Sequence, residues 1–236
     1  MRRIRAALGR AYTRAWHRAA PRSARTTPRL PDRPLSARYG QDRGRPVDRV
    51  YIERFLAQHA ADIHGRGVEI HEPTYLERFG TCTRVDVLDV DPAATRATIR
   101  GDFSALPAAT FDVFICTQTL HAIADPLGAL RDAHAALRPG GVLLLTVPGI
   151  SQIRPDDRFP DLVHYTAHGL RAVAEQVFPD AQVAAHGNVR TAAAFLYGLA
   201  EEELDPGAFS VDDPAYPLVI TLRAQRAATP DRAAGD

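Results

Sequence analysis

A chain of 236 residues, 45% hydrophobic and 24% charged with a net charge of +1, has the size and composition of one α/β domain with appendages. All 29 basic residues are arginine, which excludes P-loop nucleotide hydrolysis through Gly-Lys-Ser/Thr, protein-kinase chemistry of the usual kind and lysine Schiff-base catalysis. Cys82 and Cys116 have no metal-ligand spacing, and no apolar run approaches the ~20 residues that span a bilayer, so neither a disulfide or zinc scaffold nor a membrane span is expected.

The charge is unevenly placed. Residues 1–45 carry 13 arginines against Asp32 and Asp42, a local balance of +11, and Ile4, Leu8, Tyr12 and Trp16 recur at helical spacing. This reads as a basic N-terminal tail and linker, disordered or loosely helical. Peripheral contact with an anionic membrane through residues 1–20 is one use for it, and docking on the chain's own acidic body is another. The arginines interrupt any signal-peptide core, and no nucleic-acid-binding fold accompanies them. A cytoplasmic protein, at most peripheral to a membrane and without a specific nucleic-acid partner, is the expectation.

A globular body is expected over residues 46–223, with a flexible tail at 224–236. Val50, Ile52, Phe55 and Leu56 predict a helix that ends around Gly65–Gly67. Strands follow at 68–70, at 85–90 before Asp91-Pro92, at 97–99 and at 111–116. Asp125 caps a helix opened by Pro126, with Leu127, Leu130 and Leu137 on one face and Pro139-Gly140-Gly141 as its stop. Residues 142–147 are apolar throughout, as in a strand covered on both faces. Thr166 can cap a helix through Leu170, Val173 and Val177. A weaker strand at 181–185, a helix over 189–204 and a last strand at 217–222 complete the body. The alternation predicts a mostly parallel sheet with helices on both faces.

In open sheets of this kind, ligands sit outside the carboxyl ends of the strands. The polar residues at those ends are Glu69 and His71, then Asp89 and Asp91, then Asp102, then Thr117 and Gln118. Acids at three successive strand ends are costly if buried alone, and a ligand rich in hydroxyl and amino donors would pair them. Each residue also has a plainer reading. Asp89 or Asp91 suits a turn before Pro92, Asp102 suits a cap, and His121 is either a packed core histidine or a base that titrates near neutrality. His164 and His168 are four apart, but Thr166 between them reads as a cap, so no metal site is expected. No Gly-x-Ser-x-Gly marks a hydrolase.

Val68-Glu69-Ile70, Asp89-Val90-Asp91-Pro92, Gly101-Asp102-Phe103, Phe111-Asp112-Val113-Phe114 and Leu137-Arg138-Pro139-Gly140-Gly141 resemble successive motifs of class I S-adenosylmethionine-dependent methyltransferases, in the type-11 group, over about residues 48–150. Asp42-Arg43-Gly44 with Tyr51-Ile52-Glu53, Thr117-Gln118-Thr119-Leu120-His121 and Val147-Pro148-Gly149-Ile150-Ser151 are similar to methyltransferase-like proteins encoded beside glycosylation enzymes. The resemblance implies a Rossmann-like sheet of seven strands, the last antiparallel, with S-adenosylmethionine as cofactor. It puts Glu69 near the cofactor's methionine end and Asp91, or Asp89 beside it, on the ribose hydroxyls. Asp102 would accept from the adenine amino group with Phe103 against the ring, while Thr117 and Gln118 would border the sulfonium. His121 is the candidate catalytic base. The family's first loop reads acid-x-Gly-x-Gly, whereas Glu69 is followed by Ile70-His71-Glu72-Pro73-Thr74-Tyr75. His71 takes the first glycine's place, where its ring would border or plug the cofactor space. The implied function is methyl transfer to a hydroxyl of a small-molecule or glycan acceptor. A non-catalytic methyltransferase-like module, bound to a glycosylation or cell-surface enzyme, is the alternative. A dinucleotide oxidoreductase would need Gly-x-Gly-x-x-Gly after the first strand, which is missing.

Overall fold

The computed structural model describes residues 31–153 and 160–228. The chain forms two units, Met1–Pro34 and Leu35–Asp236. Of the first, only residues 31–34 are described, and they hold neither helix nor strand. The amphipathic stretch, and with it residues 1–20 where membrane contact is expected, lies outside the described residues, as do 154–159 and 229–236. Among the described residues, no helix is long and apolar enough to cross a membrane.

The second unit runs α1 (Val47–Gln58), β1 (His64–Ile70), α2 (Thr74–Phe79), β2 (Thr81–Asp89), β3 (Ile99–Arg100), β4 (Phe111–Thr117), α3 (Pro126–Ala136), β5 (Leu137–Pro148), α4 (Ala167–Ala174), β6 (Gln182–His186), α5 (Val189–Leu196) and β7 (Val219–Gln225). The seven strands form one sheet in the order β3-β2-β1-β4-β5-β7-β6. Strands β1 to β5 pair in parallel, and β7 is antiparallel to both β5 and β6. This is the Rossmann-like methyltransferase sheet that the motifs lead one to expect.

The period-2 geometry of the central strands divides the core. On β4, Phe114 and Cys116 face one layer while Val113 and Ile115 face the other; on β5, Leu143 and Leu145 oppose Val142 and Leu144. Leu130, Ala133, Leu170 and Ala174 of α3 and α4 cover the first layer, and Tyr51, Ile52, Leu56 and Phe195 of α1 and α5 cover the second. Leu143, Leu144 and Leu145 are each 0% exposed. At ~1.5–3 kcal/mol per fully buried side chain, these two strands alone make a large part of the stabilising burial. The strand order reverses between β1 and β4, so the crevice opens above their carboxyl ends.

Several boundaries differ from expectation. Gly65 and Gly67 lie inside β1 rather than ending α1. A Cβ at Gly67 would come within 2.7 Å of Leu76 Cδ2, so this glycine lets α2 rest on the strand. Helix α2 was not foreseen; it buries Tyr75 and Leu76. Leu137 belongs to β5, where it pairs with Phe111, because α3 ends at Ala136. Helix α5 ends at Leu196, and Glu201–Glu203 is a separate 3-10 turn. The tail expected to reach residue 45 is packed from Leu35 onward. Leu35 and Ser36 donate to the Tyr197 carbonyl, Pro46 bridges Ala200, and Arg43 and Arg45 pair with Glu203 and Glu201.

Candidate active site

A cavity of about 870 Å3 lies over the carboxyl ends of β1, β2 and β4. Glu69, 4% exposed, sits near the end of β1. Its carboxylate accepts the amide N–H groups of Tyr75 (3.0 Å) and Leu76 (2.9 Å), donors that the first turn of α2 would otherwise leave unpaired. Burial outweighs these two amides and pushes the Glu69 carboxyl up to about 7. Its first task is therefore to hold the loop against the strand.

His71 adopts φ 68°, the left-handed conformation that favours glycine. The chain thus takes a backbone conformation that favours glycine at a position that carries none. The imidazole turns to Asp89, with Nδ1 3.0 Å from Oδ2, and leaves 60% of its side chain exposed. In so large a cavity it borders the space rather than plugging it.

Of the two second-strand acids, only Asp89 lines the cavity. It ends β2, is 7% exposed, and its Oδ1 accepts the Asp91 amide at 2.7 Å. Asp91 is not among the residues lining the cavity and accepts the Ala93 amide at 2.9 Å, the bond of a turn at Pro92. Asp102 lines the cavity and also caps the next turn, accepting the Ser104 amide at 3.0 Å. Phe103 lines the cavity, 5% exposed, with its ring 5.1 Å from that of Phe114, and Val90, 47% exposed, adds to the apolar lining. Thr117 and Gln118 lie where the strand end puts them, Gln118 with φ 47° and its amide donating to Thr146 O at 2.8 Å.

Arg49 is absent from the sequence reading. It lines the cavity from α1, with Nη1 3.2 Å from the Tyr75 hydroxyl. No motif marks it, because α1 reaches the crevice only through the tertiary fold.

A second chamber, of about 210 Å3, shares Arg49 and Gln118 with the first. His121 stands in its wall, 6% exposed, with Nε2 2.9 Å from Asp161 Oδ1. The Asp161 side chain is 4% exposed. The amides of Leu162 and Val163 donate to the His121 carbonyl at 2.9 and 3.1 Å, which holds the Asp161 segment in place. His121 is thus buried like a core residue and also faces a chamber. Asp48, 6% exposed in the first turn of α1, lies on the same chamber. Burial raises its carboxyl above the usual range, against the opposing pull of Arg49.

Among the described residues, no group of three or more His, Cys, Asp or Glu side chains could hold a metal ion. Thr166, between His164 and His168, caps α4 by accepting the Gly169 amide at 3.0 Å.

A family model described as a methyltransferase domain matches residues 49–195. Among solved structures, a chain of the Haloferax volcanii complex containing the Trm112 methyltransferase activator is similar at 13% identity, covering 77% of this chain and 92% of that one with a TM-score of 0.51. An S-adenosylmethionine-dependent methyltransferase from Mesorhizobium loti is similar at 17% identity (68% and 90% covered, TM-score 0.45). Haemonchus contortus phosphoethanolamine N-methyltransferase 2, in complex with S-adenosylmethionine, is similar at 14% (70% and 49% covered, TM-score 0.46). No curated protein sequence matches the chain. The family match spans well over half of the chain and runs from Arg49 through His121 and Asp161. The chain therefore belongs to the S-adenosylmethionine-dependent methyltransferase-domain family.

Proposed function

We propose that this chain methylates a hydroxyl group of a small-molecule or glycan acceptor. The observation that carries the reading is the buried His121–Asp161 pair in a small chamber that adjoins an acid-lined cofactor cavity at Arg49 and Gln118.

The larger cavity fits the cofactor chemically. Its charged lining is Glu69, Glu72, Asp89, Asp102, Asp125 and Asp132 against Arg49 alone, with His71 between them. S-adenosylmethionine brings a matching set: a sulfonium, an ammonium, a ribose diol, an adenine amino group and one carboxylate. Arg49 would hold the carboxylate, Asp89 the diol and Asp102 the amino group, with Val90 against the adenine. When bound, the cofactor supplies a methyl group on positively charged sulfur, so the protein has only to place a nucleophile and accept its proton. His121 would take the hydroxyl proton, and Asp161 would orient the imidazole and balance the charge it gains.

Calorimetric titration with S-adenosylmethionine, S-adenosylhomocysteine and NAD tests the assignment. The first two should bind and NAD should not. Asp89→Ala removes a charged hydrogen-bond acceptor worth ~1.5–3 kcal/mol, so affinity should fall by about tenfold or more. Asp91→Ala should leave it within about twofold, since that side chain serves its own turn. Binding of NAD in place of the two sulfur compounds would remove the methyl-transfer reading; the reverse order of the two aspartates would restore Asp91.

His71 allows a sharper check on the loop. At φ 68° a side chain is strained by ~1–2 kcal/mol, so His71→Gly should be more stable than His71→Ala by about 1 kcal/mol. At an ordinary φ the order would be reversed. Chemical denaturation of the two variants reads the sign directly, and cofactor affinity in His71→Gly should stay within about tenfold of the parent.

A further inference from the structure

We infer that the small chamber selects a neutral ring bearing two adjacent hydroxyls, and that Asp48 is the residue that selects it. The inference rests on the methyl-transfer reading for the reaction but not for the binding.

Two buried acceptor atoms, Asp48 Oδ1 and Gln118 Oε1, have no hydrogen-bond partner among the described residues. Buried polar atoms are paired in nearly all folded proteins, so an orphan in a chamber wall marks a place for a ligand's donor. The two side chains lie together: Gln118 Nε2 donates to Asp48 Oδ2 over a long 3.4 Å. Gln118 is held there by a left-handed backbone, a strain that structures tend to keep at working sites.

The charges then decide what kind of donor is missing. Arg49 Nε stands 3.9 Å from Asp48 Oδ1 and already offsets the carboxylate's charge without bonding to it. What the chamber lacks is O–H or N–H groups, not a cation. An anionic acceptor would bring further acceptor atoms against Asp48 Oδ1 and Gln118 Oε1, and neither could pair with them. Pro148, Ile150, Phe195 and Leu218 give the wall an apolar side that suits the C–H face of a ring, while Gln41 and Ser151 add polar groups to it. A space of about 210 Å3 admits one ring and little more. With one hydroxyl donated to Asp48 and Gln118, its neighbour is left for His121.

Five cyclohexane derivatives isolate the donor pattern on one ring: cis-1,2-cyclohexanediol, trans-1,2-cyclohexanediol, cyclohexanol, cyclohexylammonium and cyclohexanecarboxylate. Binding to the full chain is read by saturation-transfer NMR at saturating S-adenosylhomocysteine, and S-adenosylhomocysteine release is read separately with S-adenosylmethionine present. One diol should bind about tenfold more tightly than cyclohexanol, with no binding of the carboxylate. Asp48→Asn should erase that preference while changing S-adenosylhomocysteine affinity by less than about threefold, since Asp48 does not line the larger cavity and reaches it only through Arg49 and Gln118. Ile150→Trp, at a partly exposed position, should block every probe by filling the chamber and serves if Asp48→Asn fails to fold. Equal binding of diol and cyclohexanol, or a preference for cyclohexylammonium, overturns the inference. Diol preference without product release supports it and sinks the methyl-transfer reading alone.

Discussion

His121→Ala is expected to lower kcat for the preferred diol by about a hundredfold or more, while the Kd for S-adenosylmethionine changes by less than about twofold. A positioned base contributes ~10²–10⁴ in rate when it removes a proton as the bond forms. His121 borders only the smaller chamber, so its loss leaves the cofactor cavity's lining intact. Asp161 acts through His121, being 2.9 Å from Nε2, and Asp161→Asn should therefore retain more activity than His121→Ala. A double variant should be no worse than His121→Ala alone, because the aspartate has nothing left to orient. Steady-state kinetics on the four proteins tests this. A His121→Ala enzyme within about threefold of the parent would mean that the acceptor loses its proton elsewhere.

The second large effect concerns stability against pH. The Glu69 carboxyl is raised from 4.5 in the open chain to about 7 in the fold, chiefly by burial. A raised folded value means that its contribution is fully present below pH 4.5 and is lost as pH climbs through 7. At 1.36 kcal/mol per unit, the group forfeits about 3 kcal/mol across that window. Glu69→Gln can still accept the Tyr75 and Leu76 amides but carries no charge to desolvate. The difference in unfolding free energy between Glu69→Gln and the parent should grow in the variant's favour by about 3 kcal/mol between pH 4.5 and 7 and stay flat above it. Denaturant titrations at a series of pH values give the curve. A flat difference across the window would show that the two amides hold the carboxylate ionised throughout. Because S-adenosylmethionine is cationic, its binding near Glu69 should also favour the ionised form, so cofactor affinity should rise with pH through 7.

The sheet is legible in the sequence because its signals are local. Apolar runs at 111–116 and 142–147 can be strands in any context, and Asp125-Pro126 and Thr166 announce helices through their own capping chemistry. Helix α2 is hidden by its length: six residues carry too little periodicity, although Tyr75 and Leu76 are its buried pair. Asp89 and Asp91 are separated by a turn that the sequence does not show: the Asp91 amide donates to Asp89 Oδ1, and only Asp89 lines the cavity. Alternate residues of a strand share a face, so periodicity alone could not separate them. Asp48 and Arg49, side by side on α1, and Asp161 are each far along the chain from His121, and no spacing rule joins them to it. The left-handed His71 is the most instructive case. A missing glycine suggests a lost loop, yet the backbone there is left-handed and the ring pairs with Asp89.

The placement of β7 between β5 and β6 has a consequence for synthesis. Strands β1 to β5 leave the ribosome in order, and each has its parallel neighbour within reach. Strand β5 then waits with one edge bare until Val219–Gln225 emerges, and β6, already made, has nothing to pair with in the meantime. That edge belongs to a strand whose central leucines are apolar on both faces, the kind that recruits other nascent chains. A translational pause between Pro148 and Val219 would lengthen the interval, and a stop codon there would make it permanent. The yield of native protein should therefore depend on how quickly the ribosome moves through this stretch.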